Sequence, residues 1–194
     1  MRTVSIIVLV CAVSVAGTAQ TPAVLDVSGK LSYHLQRTFS PGSIALSGVK
    51  AGYSQLTDSP TEWGQGGGGY SRRVASSMAS SGIRAGLAFA LDSALHQDPR
   101  YYRSDSRGFW PRTKHALRAT ILTRTDSGGE TFSTWRIGSA YGAAFISEQW
   151  YPDRYHTVRH GFVGGSTRLG FDVVKNVIAE FWPDMKKKVS RLKP

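Results

Sequence analysis

The chain has almost no cysteine. Of its 194 residues only Cys11 is one, and that residue lies in an apolar stretch near the start that is expected to be removed. A mature chain without cysteine has no disulfide framework and no thiolate chemistry. Negative charge is scarce as well. Thirteen Asp and Glu stand against 24 Lys and Arg, a formal net charge of +11, which predicts attraction to anionic surfaces. Long hydrophobic runs are missing too. No internal segment reaches the roughly 20 apolar residues of an independent membrane span. Catalytic signatures are equally thin: there is no Gly-x-Ser-x-Gly elbow, and the glycine run lacks the Lys-Ser/Thr ending of a phosphate-binding loop.

What is present begins with the first 19 residues. Arg2 supplies a positive charge, and residues 4–16 are apolar apart from Ser5 and Ser14. Gly17-Thr18-Ala19 then offers small residues before Gln20-Thr21-Pro22. Charged start, short apolar core and small-residue exit make a signal peptide over residues 1–19. The chain is therefore expected to be exported, as a periplasmic or membrane-peripheral protein. The rival is an uncleaved anchor. Lipid attachment at Cys11 is disfavoured because Val10, not a small residue, precedes it. The remaining length suits one domain with a sizeable core.

Helical segments separated by punctuated loops follow. They are expected over residues 27–37, 43–55, 70–97, 111–125, 133–150 and 157–181. The breaks fall at Ser40-Pro41-Gly42, Asp98-Pro99, Asp126-Ser127-Gly128-Gly129, Tyr151-Pro152-Asp153 and Trp182-Pro183-Asp184. Residues 57–69 are expected to be a glycine-rich loop, because four consecutive glycines at 66–69 oppose regular structure. Residues 83–95 are apolar nearly all round, which places that helix at the centre. Period-2 alternation is largely absent, so little sheet is expected. The predicted fold is all-α: a single-domain bundle of about five or six helices over residues 20–184, followed by a basic tail at 185–194. Glycines four apart recur at Gly82 and Gly86, Gly138 and Gly142, and Gly161 and Gly165. Each pair shares a helix face and offers close helix packing.

Several residues are candidates for chemistry. Asp92 and His96 are four apart on the central helix, and a carboxylate beside an imidazole can act as an acid–base pair. Glu148 continues the stripe of Ile137, Tyr141, Ala144 and Phe145. A carboxylate on that face needs a partner, with Arg100, Arg103 and His156 as candidates. Asp92, His96 and Glu148 together would serve a hydrolase if they converged. The plainer reading is structural: His96 in the last helical turn and internal ion pairs. His156 and His160 are also four apart, but nothing specifies a third ligand, so no metal site is assigned and no cofactor is expected. Arg168, Asp172 and Lys175 read as one charged surface stripe.

Three segments combine aromatic, glycine and charged residues: Trp63-Gly64 with Gly69-Tyr70-Ser71-Arg72-Arg73, Asp98-Pro99-Arg100-Tyr101-Tyr102-Arg103, and Glu180-Phe181-Trp182-Pro183-Asp184. Free backbone N–H groups at Gly67, Gly68 and Gly69, with Arg72, Arg73, Arg100 and Arg103, are the candidate anion-binding residues. Together the segments resemble an uncharacterised family of exported bacterial envelope proteins. The resemblance spans residues 57 to 184. It implies an envelope location and carries no activity. The expected function is thus a non-enzymatic envelope protein whose basic surface meets anionic lipid or polymer. An envelope hydrolase and an integral membrane protein of glycine-packed hairpins are the alternatives. Nucleic acid is not an expected partner of an exported chain.

Overall fold

Asp26 and Ser40 open the first two helices. In the computed structural model, which describes residues 23–190, Asp26 Oδ1 accepts from Gly29 N at 2.7 Å and Ser40 Oγ from Ser43 N at 3.2 Å. Each satisfies a backbone donor that a helix start leaves free. The helices are α1 (Val27–Thr38) and α2 (Pro41–Leu56), the latter with Pro41 in its first turn. Next come α3 (Gly66–Ala94), α4 (Phe109–Ile121), α5 (Thr134–Glu148) and α6 (Val158–Ser190). Six helices and one small hairpin make the predicted all-α bundle. The expected signal peptide lies outside the described residues.

Three boundaries differ from the sequence reading, each for a tertiary reason. The glycine run is not loop: Gly66–Gly69 form the first turn of α3. A Cβ on Gly69 would collide with the Gly64 carbonyl, so only glycine fits where the chain doubles back. The segment expected to stay helical to residue 125 ends at Ile121 and continues as β1 (Leu122–Arg124), which pairs antiparallel with β2 (Glu130–Phe132). Gly128, at φ +89°, supports the turn between them. The last helix passes straight through Pro183. Proline deletes the N–H that would bond the carbonyl of Ala179. One residue on, the Glu180 carbonyl accepts instead from Arg103 Nε at 3.2 Å and from Arg112 Nη2.

The central helix is α3, which packs against α1, α2 and α5; α6 packs along α5 and α4. Contact is close where glycine permits it. A Cβ on Gly138 or Gly142 would come within 2.9 Å of Leu91 or Leu87, and one on Gly161 or Gly165 would strike the Phe145 or Tyr141 ring. Gly82 and Gly86, by contrast, face open space.

The distribution of side chains is inverted. The buried apolar set consists of alanines and Trp135, whereas Lys30, His34, Arg73, Asp92, Arg136, Glu148 and Glu180 are buried. Many large apolar residues are exposed, while others, such as Leu87, Leu91 and Phe145, are half-buried between helices. On α1 the inward face carries Lys30 and His34, while Val27, Leu31 and Leu35 form an exposed stripe at helical spacing. Ile44, Val49 and Tyr53 on α2 are exposed as well, as are Phe162, Phe171 and Val174 on α6. Among the described residues no helix is long and apolar enough to cross a membrane.

Candidate anion-binding cleft

The conspicuous motif residues are used internally. Arg73 is buried and wraps the loop before α3: Nε donates to the Ser59 carbonyl at 3.1 Å, Nη1 to Gly64 O and Gln55 Oε1, both at 2.7 Å, and Nη2 to Pro60 O at 2.7 Å. Gly67 and Gly68 are exposed in the first turn beside exposed Arg72, whereas Gly69 is buried against Gly64. Arg100 pairs with Asp98 at 2.6 Å, and Tyr102 donates to the same carboxylate. The anion-binding candidates are therefore split. Arg73, Arg100 and Arg103 already have protein acceptors, and Arg100 and Arg103 sit in a different segment from the glycine turn.

The second and third motifs meet in a latch. Glu180 is fully enclosed and accepts from Tyr101 Oη at 2.7 Å, Ser104 N at 3.1 Å and Arg112 Nε at 2.9 Å. Arg112 also reaches Asp184 at 2.5 Å, and its guanidinium lies 4.4 Å from the Phe181 ring centre. Burial disfavours the charged form of Glu180, but the bonds from Arg112 and Tyr101 outweigh it and hold the carboxyl below its usual range. Burial and hydrogen bonding to Glu180 push the Tyr101 hydroxyl up.

The hydrolase residues are not brought together. Asp92 is paired with His34, Nε2 to Oδ2 2.5 Å, and not with His96. His96 lies past the end of α3 at φ +51° with its side chain exposed; there the helix geometry that would align it with Asp92 has ended. Lys30 Nζ closes the same buried region by donating to the Asp92 carbonyl at 3.1 Å and to Asp126 at 2.7 Å. Glu148 is elsewhere. The Ser80–Ser147 hydroxyl contact, 2.5 Å, sets the end of α5 beside residue 80. Asp92 lies more than three turns further along α3, about 18 Å away at 1.5 Å per residue. Glu148 Oε1 is buried with no hydrogen-bond partner, since Arg100, Arg103 and His156 are all engaged elsewhere. Among the described residues no group of three or more His, Cys, Asp or Glu is placed to hold a metal ion.

Cations are left over in one place. The stripe of Arg168, Asp172 and Lys175 on α6 does not simply face water. Its side chains meet residues of α3, and Lys50 of α2 reaches the neighbouring Phe171. Arg84 of α3 grips Asp172 with both guanidinium nitrogens, Nη1 at 3.3 Å. Arg168 reaches the hydroxyls of Ser80 and, at 3.4 Å, Ser147. It has no carboxylate partner among the described residues, and its Nη1 is enclosed without an acceptor. Burial and then Arg84 work against its charge. Lys50 of α2 stands 5.1 Å from the Phe171 ring centre. Partial desolvation and then the nearby Arg168 and Arg84 pull its ammonium below the usual lysine range, an effect that solvent partly screens because the residue is exposed. Lys175 lies 3.9 Å from Asp172. Burial, against the pull of Asp172 and with the repulsion of Arg84, Arg37 and Lys50, lowers it to about 8; half of its side chain stays exposed, and solvent screens part of that effect. Arg84, Arg136, Lys50 and Lys175, from four helices, thus share the field of one carboxylate, with Arg168 near Lys50, Arg37 near Lys175 and exposed Phe171 and Val174 on the same helix as Asp172.

Sequence reasoning found the stripe but not its direction. Arg84, Lys50 and Arg37 carried no local signal, because their partners are brought together only by the fold. Compared with known proteins, the chain matches no family model, no curated protein and no solved structure.

Proposed function

We propose that the protein is a non-enzymatic, membrane-peripheral protein of the bacterial envelope that binds anionic lipid. The observation that carries this reading is the inverted surface, on which exposed apolar stripes lie beside unmatched cations. An apolar stripe such as Val27, Leu31 and Leu35 is stabilised by contact with lipid. The net charge of +11 draws the same surface towards anionic headgroups, at about 1 kcal/mol per Lys or Arg close to the bilayer. The lysines at 186–188, on the last turns of α6, add to that attraction. No helix among the described residues supplies a span, so attachment runs through faces.

Cosedimentation with vesicles tests this. Binding to phosphatidylglycerol vesicles, absent with phosphatidylcholine and weakened by salt, is the expected result. The double variant Leu31→Asn with Leu35→Asn should bind several-fold more weakly. Equal binding to both lipids, or none, would sink the reading, and capture by an anionic polysaccharide alone would move the partner from lipid to polymer.

A further inference from the structure

We infer that a phosphate group binds where side chains of α2, α3 and α6 meet, with Arg168, Lys50 and Lys175 as its cationic ligands; this deepens the anionic-lipid reading by naming the chemistry recognised. The charge balance leads here. Arg84 spends its two nitrogens on Asp172, and Asp172 is the carboxylate that Lys50 and Lys175 share with it. Lys50 and Arg168 then have no carboxylate within ion-pair distance among the described residues, and Lys175 has only a long contact. A phosphomonoester brings about −1.5 to −2 charges and three strong acceptor oxygens. A carboxylate brings one charge and two oxygens, and would leave cations unmatched.

The geometry agrees with the charge. The cations come from two helices, Lys50 on α2 and Arg168 and Lys175 on α6, and the Lys50 ammonium stands 5.1 Å from the ring centre of Phe171, three residues past Arg168. Arg168 holds an enclosed Nη1 that lacks an acceptor. An orphaned, charged donor of this kind costs stability until an oxygen reaches it. Arg168 is a planar donor that suits phosphate, and the lysines supply mobile point charges. Hydroxyls of Ser80 and Ser147 already touch the guanidinium and fix its plane. Phe171 and Val174 are exposed beside the cations, which gives an acyl chain an apolar exit from the same cleft.

The test uses the full chain, titrated with inorganic phosphate by calorimetry and separately with phosphatidic acid vesicles by cosedimentation. Arg168→Gln with Lys50→Gln should weaken both by about tenfold or more. Arg168→Lys, which keeps the charge, should retain most of the binding. Lys114→Gln, exposed on α4, should leave it unchanged. The melting temperature of the Arg168→Gln protein should not fall, because the substitution removes an unmatched cation. Phosphate and vesicle binding that both drop in the double variant support a lipid phosphate. Phosphate binding without vesicle binding supports the site with a free phosphate as ligand, and it is the proposed membrane attachment that then fails. Vesicle binding unaffected by the double variant overturns the cleft site while leaving the general surface attraction standing. An absence of any phosphate effect on the wild-type chain overturns it too.

Discussion

The latch around Glu180 and the cleft around Asp172 are both rich in arginine and both draw on distant parts of the chain. In the latch, Arg100, Arg103 and Arg112 face Asp98, Glu180 and Asp184, and their donors are taken up by carboxylates or carbonyls. Around Asp172, Arg84, Arg136, Lys50 and Lys175 share one carboxylate, and Arg168 stands near Lys50 with none. A saturated network rigidifies and has little left to offer a ligand. An unsaturated one is costly by itself and is relieved by an anion. The contrast separates charged residues that hold the fold from charged residues free to bind.

Removing a partner should therefore have opposite consequences in the two regions. The largest effect is expected from Arg112→Met, which leaves enclosed Glu180 without its cation. The loss should be about 3–5 kcal/mol, seen as a melting temperature lower by roughly 10 °C. Gly165→Ala comes next. Its new methyl meets the Tyr141 ring, and overpacking of this kind costs about 1–3 kcal/mol. Gly82→Ala, which meets nothing, should instead stabilise the chain by up to ~1 kcal/mol through helix propensity. Thermal unfolding of the pair gives the comparison directly.

Acid should act on the latch. The Glu180 carboxyl is held below its ordinary value of 4.5 in the folded chain. Its contribution is complete above that value and is lost as pH falls through the lower folded one. Asp98 is held low in the same sense, its bonds to Arg100 and Tyr102 outweighing burial. Stability measured by denaturant should then decline as pH drops below about 4.5. Alkali acts on the cleft. Lys175, which faces Asp172, Arg84, Arg37 and Lys50, sits at about 8, so it is mostly charged at neutral pH and mostly neutral a unit above that value. Inorganic phosphate is already a dianion above about pH 8, so its affinity should fall modestly from about pH 8 to pH 9 as Lys175 loses its charge, the smallest of these effects.

Much of the helical order was legible, because Ser40-Pro41, Asp98-Pro99 and Tyr151-Pro152 punctuate it locally. The exceptions arose where tertiary contact overrides propensity. Gly66–Gly69 are helical because Arg73 and the Gly64 carbonyl fix that turn, and Pro183 is tolerated where arginines serve the neighbouring carbonyl. The site was harder to read. Asp92 pairs with His34, a residue 58 positions away, and no local spacing announces such a partner. Periodicity showed that Arg168, Asp172 and Lys175 share a face. It assigned that face to solvent by the usual rule that apolar residues point inward. In this chain that rule is reversed on α1 and on much of α6, so the charged stripe looks into the fold.

Hydrogen exchange of the full chain with and without anionic vesicles tests that reversal most directly. The account predicts slower exchange in α1, α2 and the middle of α6, with the β1–β2 hairpin and the 98–108 segment unchanged. Protection confined to the latch, or none in α1 and α6 under conditions where vesicles bind, would contradict it.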